Sequence, residues 1–228
     1  FTPYGEHSIV LNRLLTLLLT VLNDTQWDPL VATVVNAFIY TITVVILAVI
    51  LRKLLGTTVE NWILLSITLL GTIPFGWINI IWGFQSAWYL LLGLTLLTFW
   101  GIILHQDFTW QWWIGVAAGI LASLDLASGF FALLVVLAIK LYLMNLKGEK
   151  IINHLPLLRI TLFITGVSLF QLWNAPKHGE LYSKDLCHFF LALGKFIAWP
   201  WVNYPILSLF IYLPFFALVV RIWRRQRD

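Results

Sequence analysis

Glu6, His7 and Arg13 place a carboxylate, an imidazole and a guanidinium on one short stretch of chain. A carboxylate can take the proton of an attacking hydroxyl, and a guanidinium can hold a phosphate through two parallel hydrogen bonds. Glu6 and His7 also suit a solvated first helical turn, with Glu6 favoured by the helix dipole. Asn79 and Gln85 form a second group within Phe75-Gly-Trp-Ile-Asn-Ile-Ile-Trp-Gly-Phe-Gln-Ser86. Their amides can bind sugar hydroxyls or phosphate oxygens while Trp77, Trp82 and Trp88 stack on a sugar ring, or they can cap helices and anchor them. Asp125, with Ser123 and Ser128 nearby, suits either substrate contact or an N-cap for the helix that follows. Lys177 and His178 can meet an anion or stand as solvated loop residues, and Asn36 is placed to pair with another helix.

These groups stand out because the rest of the chain is so apolar. Of 228 residues, 61% are hydrophobic, 16% aromatic and 11% charged, whereas an ordinary soluble domain is about a quarter charged. Lipid is therefore the predicted solvent. A single cysteine, Cys187, excludes an internal disulfide framework and a cysteine-based metal cluster. No phosphate-binding glycine loop, dinucleotide fingerprint, His-Glu-x-x-His or Gly-x-Ser-x-Gly is present.

A span needs about 20 mostly apolar residues, and in hydrocarbon it must be helical to pair its own backbone. Seven stretches qualify: 28–53, 57–75, 85–105, 110–126, 128–146, 157–173 and 203–222. The predicted fold is therefore all-α, a polytopic transmembrane helix bundle. The run from Trp112 to Leu146 would reach about 50 Å as one helix, too long for a core of about 30 Å. It must double back, and Asp125-Leu-Ala-Ser-Gly129 is the predicted turn. Residues 8–22 carry Asn12, Thr16 and Thr20 on one stripe and leucines elsewhere, which predicts a helix on the bilayer surface. Residues 186–199 predict a second surface helix, stopped by Pro200. Asp24 and Asp28 are placed to end the first of these helices and to begin the first span.

The chain divides as a loop and surface helix over 1–27, six spans over 28–173, a loop and surface helix over 174–202, and a last span with a basic tail over 203–228. With the amino end outside, Arg13, Lys177, Lys184 and Lys195 lie on the outer face and the other ten of the 14 basic residues on the inner face. The basic excess thus reads as membrane orientation rather than as affinity for nucleic acid. The chain opens on Phe1 without a methionine or a signal-peptide pattern, and is expected to be the downstream part of a longer protein.

Glu6-His7 followed by Arg13-Leu14, then Phe75-Gly76-Trp77, Asn79, Gly83-Phe84-Gln85-Ser86 and Ala127-Ser128-Gly129, resembles poorly characterised bacterial membrane proteins of the GT-C glycosyltransferase type. The amino-terminal surface helix is similar to the juxtamembrane helix such enzymes carry after their first span, here absent. The resemblance implies an inner-membrane enzyme that takes a sugar from a polyprenyl-phosphate carrier at the outer face and passes it to a glycan, lipid or protein acceptor. Carried over, Glu6 is the general base or a ligand to a divalent metal such as Mg or Mn, Arg13 a phosphate contact, and His7 an orienting group. A flippase or small-solute carrier and a noncatalytic scaffold subunit are the competing expectations. Transporters, however, concentrate polar groups near the bilayer midplane, and here they lie at the outer boundary.

Overall fold

The computed structural model describes residues 9–55, 85–148, 155–174 and 185–197, with Asn61, Leu65, Tyr204, Ile206 and Leu213 as isolated positions. All regular structure among them is helical: α1 (Val10–Leu22), α2 (Pro29–Leu55), α3 (Ser86–Ile103), α4 (Trp110–Asp125), a 3-10 turn (Ala127–Gly129), α5 (Phe130–Lys147), α6 (Leu155–Asn174) and α7 (Leu186–Ile197). The chain separates into two compact units, Phe1–Pro176 and Lys177–Asp228.

In the first unit α3 is central, packing most extensively on α4 and then on α2 and α5, while α6 leans on α5. Small residues make the α3–α4 contact possible. A Cβ on Gly101 would come within 2.5 Å of Gln111 O and 2.6 Å of Gly115 Cα, and one on Gly115 would meet Gly101 Cα at 2.9 Å. Glycine faces glycine, so the two backbones approach as they do where helices associate without a hydrophobic drive. Ile102, Trp112, Val116, Leu133, Val136, Leu137 and Leu157 form the principal apolar core over these helices.

Two described helices, over Pro29–Leu54 and Ser86–Ile103, are long and apolar enough to cross a membrane. Their 26 and 18 residues give about 39 and 27 Å of rise. In the predicted spans 128–146 and 157–173 the apolar helices are shorter, over Phe130–Leu146 and Leu155–Phe170; the helix Trp110–Asp125 in the predicted span 110–126 is in neither group; and the predicted spans 57–75 and 203–222 lie outside the described residues apart from isolated positions.

On α2 and α1 large apolar side chains are exposed. On α2 the exposed stripe is Leu30, Val34, Phe38, Ile42, Val45 and Val49, whereas Ala32, Asn36, Thr43 and Ile50 face inward. On this helix the exposed residues are large and apolar and, Ile50 apart, the inward ones named are small or polar, an arrangement that suits a helix in lipid. Helix α1 repeats this: Leu14, Leu17, Leu18, Val21 and Leu22 are exposed, and Asn12 is buried.

Local signals set the boundaries. Asp28 accepts the Leu30 amide at 2.7 Å and starts α2 as predicted. Thr109 caps α4 by accepting from Trp112 N. The hairpin turn falls at 126–129, and a Cβ on Gly129 would collide with the Ala122 carbonyl, so only glycine fits there. Gly148, at φ 68°, ends α5 with its N–H on the Asn145 and Met144 carbonyls.

The second unit contributes α7. Asp185 caps it, accepting the His188 amide at 2.8 Å while its other oxygen meets His188 Nδ1 at 2.8 Å. Backbone and then side-chain hydrogen bonds from His188 hold the Asp185 carboxyl below its usual range. Leu186, Phe189, Phe190 and Leu193 form an exposed apolar stripe on one face, as expected of a helix on a lipid surface.

Candidate functional site

The start of α1, the start of α3 and the α4–α5 turn meet at one end of the first unit. Asn12 Nδ2 donates to Ser86 Oγ at 2.6 Å. The Asn12 backbone N–H donates to Asp125 Oδ1 at 3.1 Å, and the Ile9 N–H donates to the Asp125 carbonyl at 2.6 Å. Beneath these bonds Ile9, Ala87 and Leu126 form a small apolar cluster with Leu91 packed against it. Asn12, Ser86 and Asp125 are 6%, 3% and 0% exposed, so water does not compete for these bonds. Asp125 Oδ2 is buried without a hydrogen-bond partner among the described residues.

The predicted N-cap role of Asp125 is not observed. Asp125 is the last residue of α4, and α5 begins after Gly129 with no side-chain cap. The intervening 3-10 turn separates the carboxyl from the α5 amides, and those of α1 take it instead. Gln85 immediately precedes α3 and is half-buried, next in the chain to Ser86. Arg13 is half-buried one residue after Asn12, its amide bonded to the Ile9 carbonyl at 3.0 Å. Three of the predicted site residues, Arg13, Gln85 and Asp125, are thereby brought to one end of the bundle. Glu6, His7, Asn79, Lys177 and His178 lie outside the described residues.

Sequence reasoning singled out Asn12 only as part of a polar stripe and did not single out Ser86. The signal that identifies them is burial of an amide and a hydroxyl at the ends of apolar helices. A second polar group, also unforeseen, occupies the opposite ends of α2, α3 and α5. Lys140 Nζ, in α5, donates to Asp107 Oδ1 at 2.7 Å and to the Ile102 carbonyl at 3.2 Å. Lys53 Nζ, near the end of α2, lies 3.4 Å from the Leu104 carbonyl and 3.3 Å from His105 Nε2. Because His105 Nδ1 sits 3.0 Å from the Trp100 carbonyl it is the donor of the neutral ring, leaving Nε2 to accept from Lys53. These contacts tie the α3–α4 loop to its neighbours and leave the ionic groups engaged with one another.

A groove of about 180 Å³ runs between α2 and α3, lined by Ile39, Ile42, Thr43, Tyr89, Gly93 and Leu97 among others. Thr43 Oγ1 donates to the Ile39 carbonyl at 2.9 Å, so the groove is almost wholly apolar. A Cβ on Gly93 would come 2.9 Å from Thr43 Oγ1 and narrow it. Tyr89, one helical turn beyond Ser86 and in ring contact with Tyr40 at 5.1 Å, marks the end of the groove nearer the Asn12–Ser86 bond.

Among the described residues no three His, Cys, Asp or Glu side chains gather where they would hold one metal ion. Comparison with protein-family models, curated proteins and solved structures finds no match for the chain.

Proposed function

We propose that the chain is part of a multi-pass membrane glycosyltransferase that moves a sugar from a polyprenyl-phosphate carrier to an acceptor hydroxyl at the membrane boundary. The observation that carries this reading is the Asn12–Ser86 hydrogen bond, which joins the stretch bearing Glu6, His7 and Arg13 to the stretch bearing Asn79 and Gln85. Three peptide links separate Glu6 from Ile9, whose amide is bonded to the Asp125 carbonyl, and three links span at most about 11 Å from Cα to Cα. In this reading the Glu6 carboxylate, the Arg13 guanidinium and the Gln85 and Asn79 amides serve one substrate.

The chemistry follows from those groups. An acceptor hydroxyl attacks the anomeric carbon, and Glu6 takes its proton as the new C–O bond forms. The bond from that carbon to the carrier phosphate breaks, and the phosphate leaves with both electrons, stabilised by Arg13 and by amide donors from Gln85 and Asn79. Lys177 and His178 are further candidates for meeting the anionic donor. The apolar α2–α3 groove, one turn from Ser86, suits the hydrocarbon tail of such a donor. In this reading the protein resides in the bacterial inner membrane, with the Asp125 end outward and the basic tail in the cytoplasm.

The test is donor class. The complete protein in liposomes is offered sugars labelled with carbon-14 on a polyprenyl phosphate or on a nucleotide, with a parallel measurement of lipid-linked sugar crossing the bilayer. Transfer from the polyprenyl donor alone supports the reading. Movement of the donor across the bilayer without transfer would favour a flippase, and neither activity would favour a scaffold.

A further inference from the structure

Helix α1 has no cap of its own. Its N-cap residue is Ile9, an aliphatic side chain that accepts nothing, held at φ 42° and ψ 37° in the left-handed region that β-branched residues avoid. Such a conformation persists only where the surroundings impose it. Here they do: the Ile9 amide is bonded to the Asp125 carbonyl, its side chain is sealed in the cluster with Ala87 and Leu126, and Asp125 Oδ1 takes the Asn12 amide in the first turn. The Leu11 amide faces the same carboxyl. A carboxylate 113 residues away in sequence supplies what a serine or aspartate at position 9 would ordinarily supply.

We infer that Asp125 is a positioning residue: by capping α1 from the α4–α5 turn it fixes where the start of α1, with Arg13, meets Ser86 at the start of α3. Its function in transfer, which rests on the glycosyltransferase reading above, is exerted through α1 and not on the substrate. Two features distinguish this role from general packing. The contact is directional, one carboxylate oxygen and one carbonyl on two amides of α1, and Asn12 bridges the same turn onward to Ser86. The clasp thus spans three elements, and releasing Asp125 frees the entry of α1 while the α3–α4–α5 core, which lies elsewhere, keeps its packing.

The test uses the full chain with Cys187→Ser, which removes its one thiol, an exposed residue of α7. Asp125→Ala is expected to raise amide exchange over residues 9–16 about fivefold or more, the effect of one lost cap, while exchange in residues 112–122 stays as it was. Transfer should fall in kcat with little change in the donor KM. Asp125→Asn, which keeps an acceptor oxygen, should restore most of both. A disulfide between cysteines replacing Asn12 and Ser86, introduced into the Asp125→Ala chain, should also recover transfer because it refastens α1 by another bond. Unchanged exchange at residues 9–16 in Asp125→Ala would overturn the cap. A disulfide-locked Asp125→Ala chain that is protected in α1 yet stays inactive would overturn the positioning role and make Asp125 chemical. If the parent chain transfers no sugar while the exchange response holds, the glycosyltransferase reading falls and the cap stands.

Discussion

Asn12 and Ser86, 74 residues apart in sequence, are joined by a 2.6 Å hydrogen bond from side-chain amide to hydroxyl, with both residues buried. Being directional, that bond links α1 to α3 more specifically than apolar contact can. Replacing Asn12 by Ala is expected to cost about 1–3 kcal/mol, since Ser86 loses its Asn12 contact in a dry site. Ser86→Ala should cost a similar amount, and the double variant less than the sum of the two. Denaturation in mixed micelles checks this through the coupling energy, expected at about 0.5–3 kcal/mol.

The α3–α4 crossing depends on two glycines. Gly101→Leu or Gly115→Leu would force the helices apart at a contact where even a single Cβ comes within 3 Å of backbone. A destabilisation of about 1–3 kcal/mol or more is expected. It is read as a lower thermal midpoint of the detergent-solubilised protein. Gly166, with nothing within 4 Å of its Cβ position, is the control: Gly166→Ala should hold or raise the midpoint.

Lys140 and Asp107 retain 14% and 17% side-chain exposure, so their 2.7 Å pair is only partly screened by solvent. Removing one charge takes from the other the partner of this 2.7 Å contact. Lys140→Met or Asp107→Leu alone should destabilise by about 1–3 kcal/mol, below the range for a fully buried pair, and the double variant should recover much of the loss. Chemical unfolding of all three variants checks this.

In α7 the Asp185 carboxyl is held below its ordinary value of 3.8 by the His188 amide and then by the His188 side chain. A depressed folded value means that the stabilisation is present above 3.8 and is lost as pH falls through the lower folded value. Amide exchange at Cys187–Phe189 should therefore be steady from neutral pH to about pH 5 and rise, beyond its intrinsic pH dependence, on further acidification. Asp185→Ala should show the faster exchange already at neutral pH and little added acid response.

Some of this architecture was legible in the sequence for physical reasons. The Trp112–Leu146 run was too long to cross a bilayer once, so a turn near Asp125–Gly129 followed from rise per residue. Asp28 was legible as a helix start because a cap is local. Helix α1 was legible as amphipathic, yet the direction of its Asn12 face was not: periodicity gives a stripe without saying whether protein or water covers it. In the structure Asn12 turns inward, onto Ser86 and Asp125. The partner of Asp125 was hidden for a different reason. Its bonds to Ile9 and Asn12 exist only after three helices have been placed, and a short-range cap, the local alternative, is what spacing alone suggests. The Lys53–His105 and Lys140–Asp107 contacts are likewise products of packing.

The proposed chemistry turns most directly on the carboxylate of Glu6. Sugar transfer from a polyprenyl-phosphate donor in liposomes is measured for the complete protein and for Glu6→Gln, with circular dichroism and melting confirming equal folding. The account predicts a loss of about 100-fold or more in kcat for Glu6→Gln, the scale of a removed general base. Equal rates in the two proteins would contradict it.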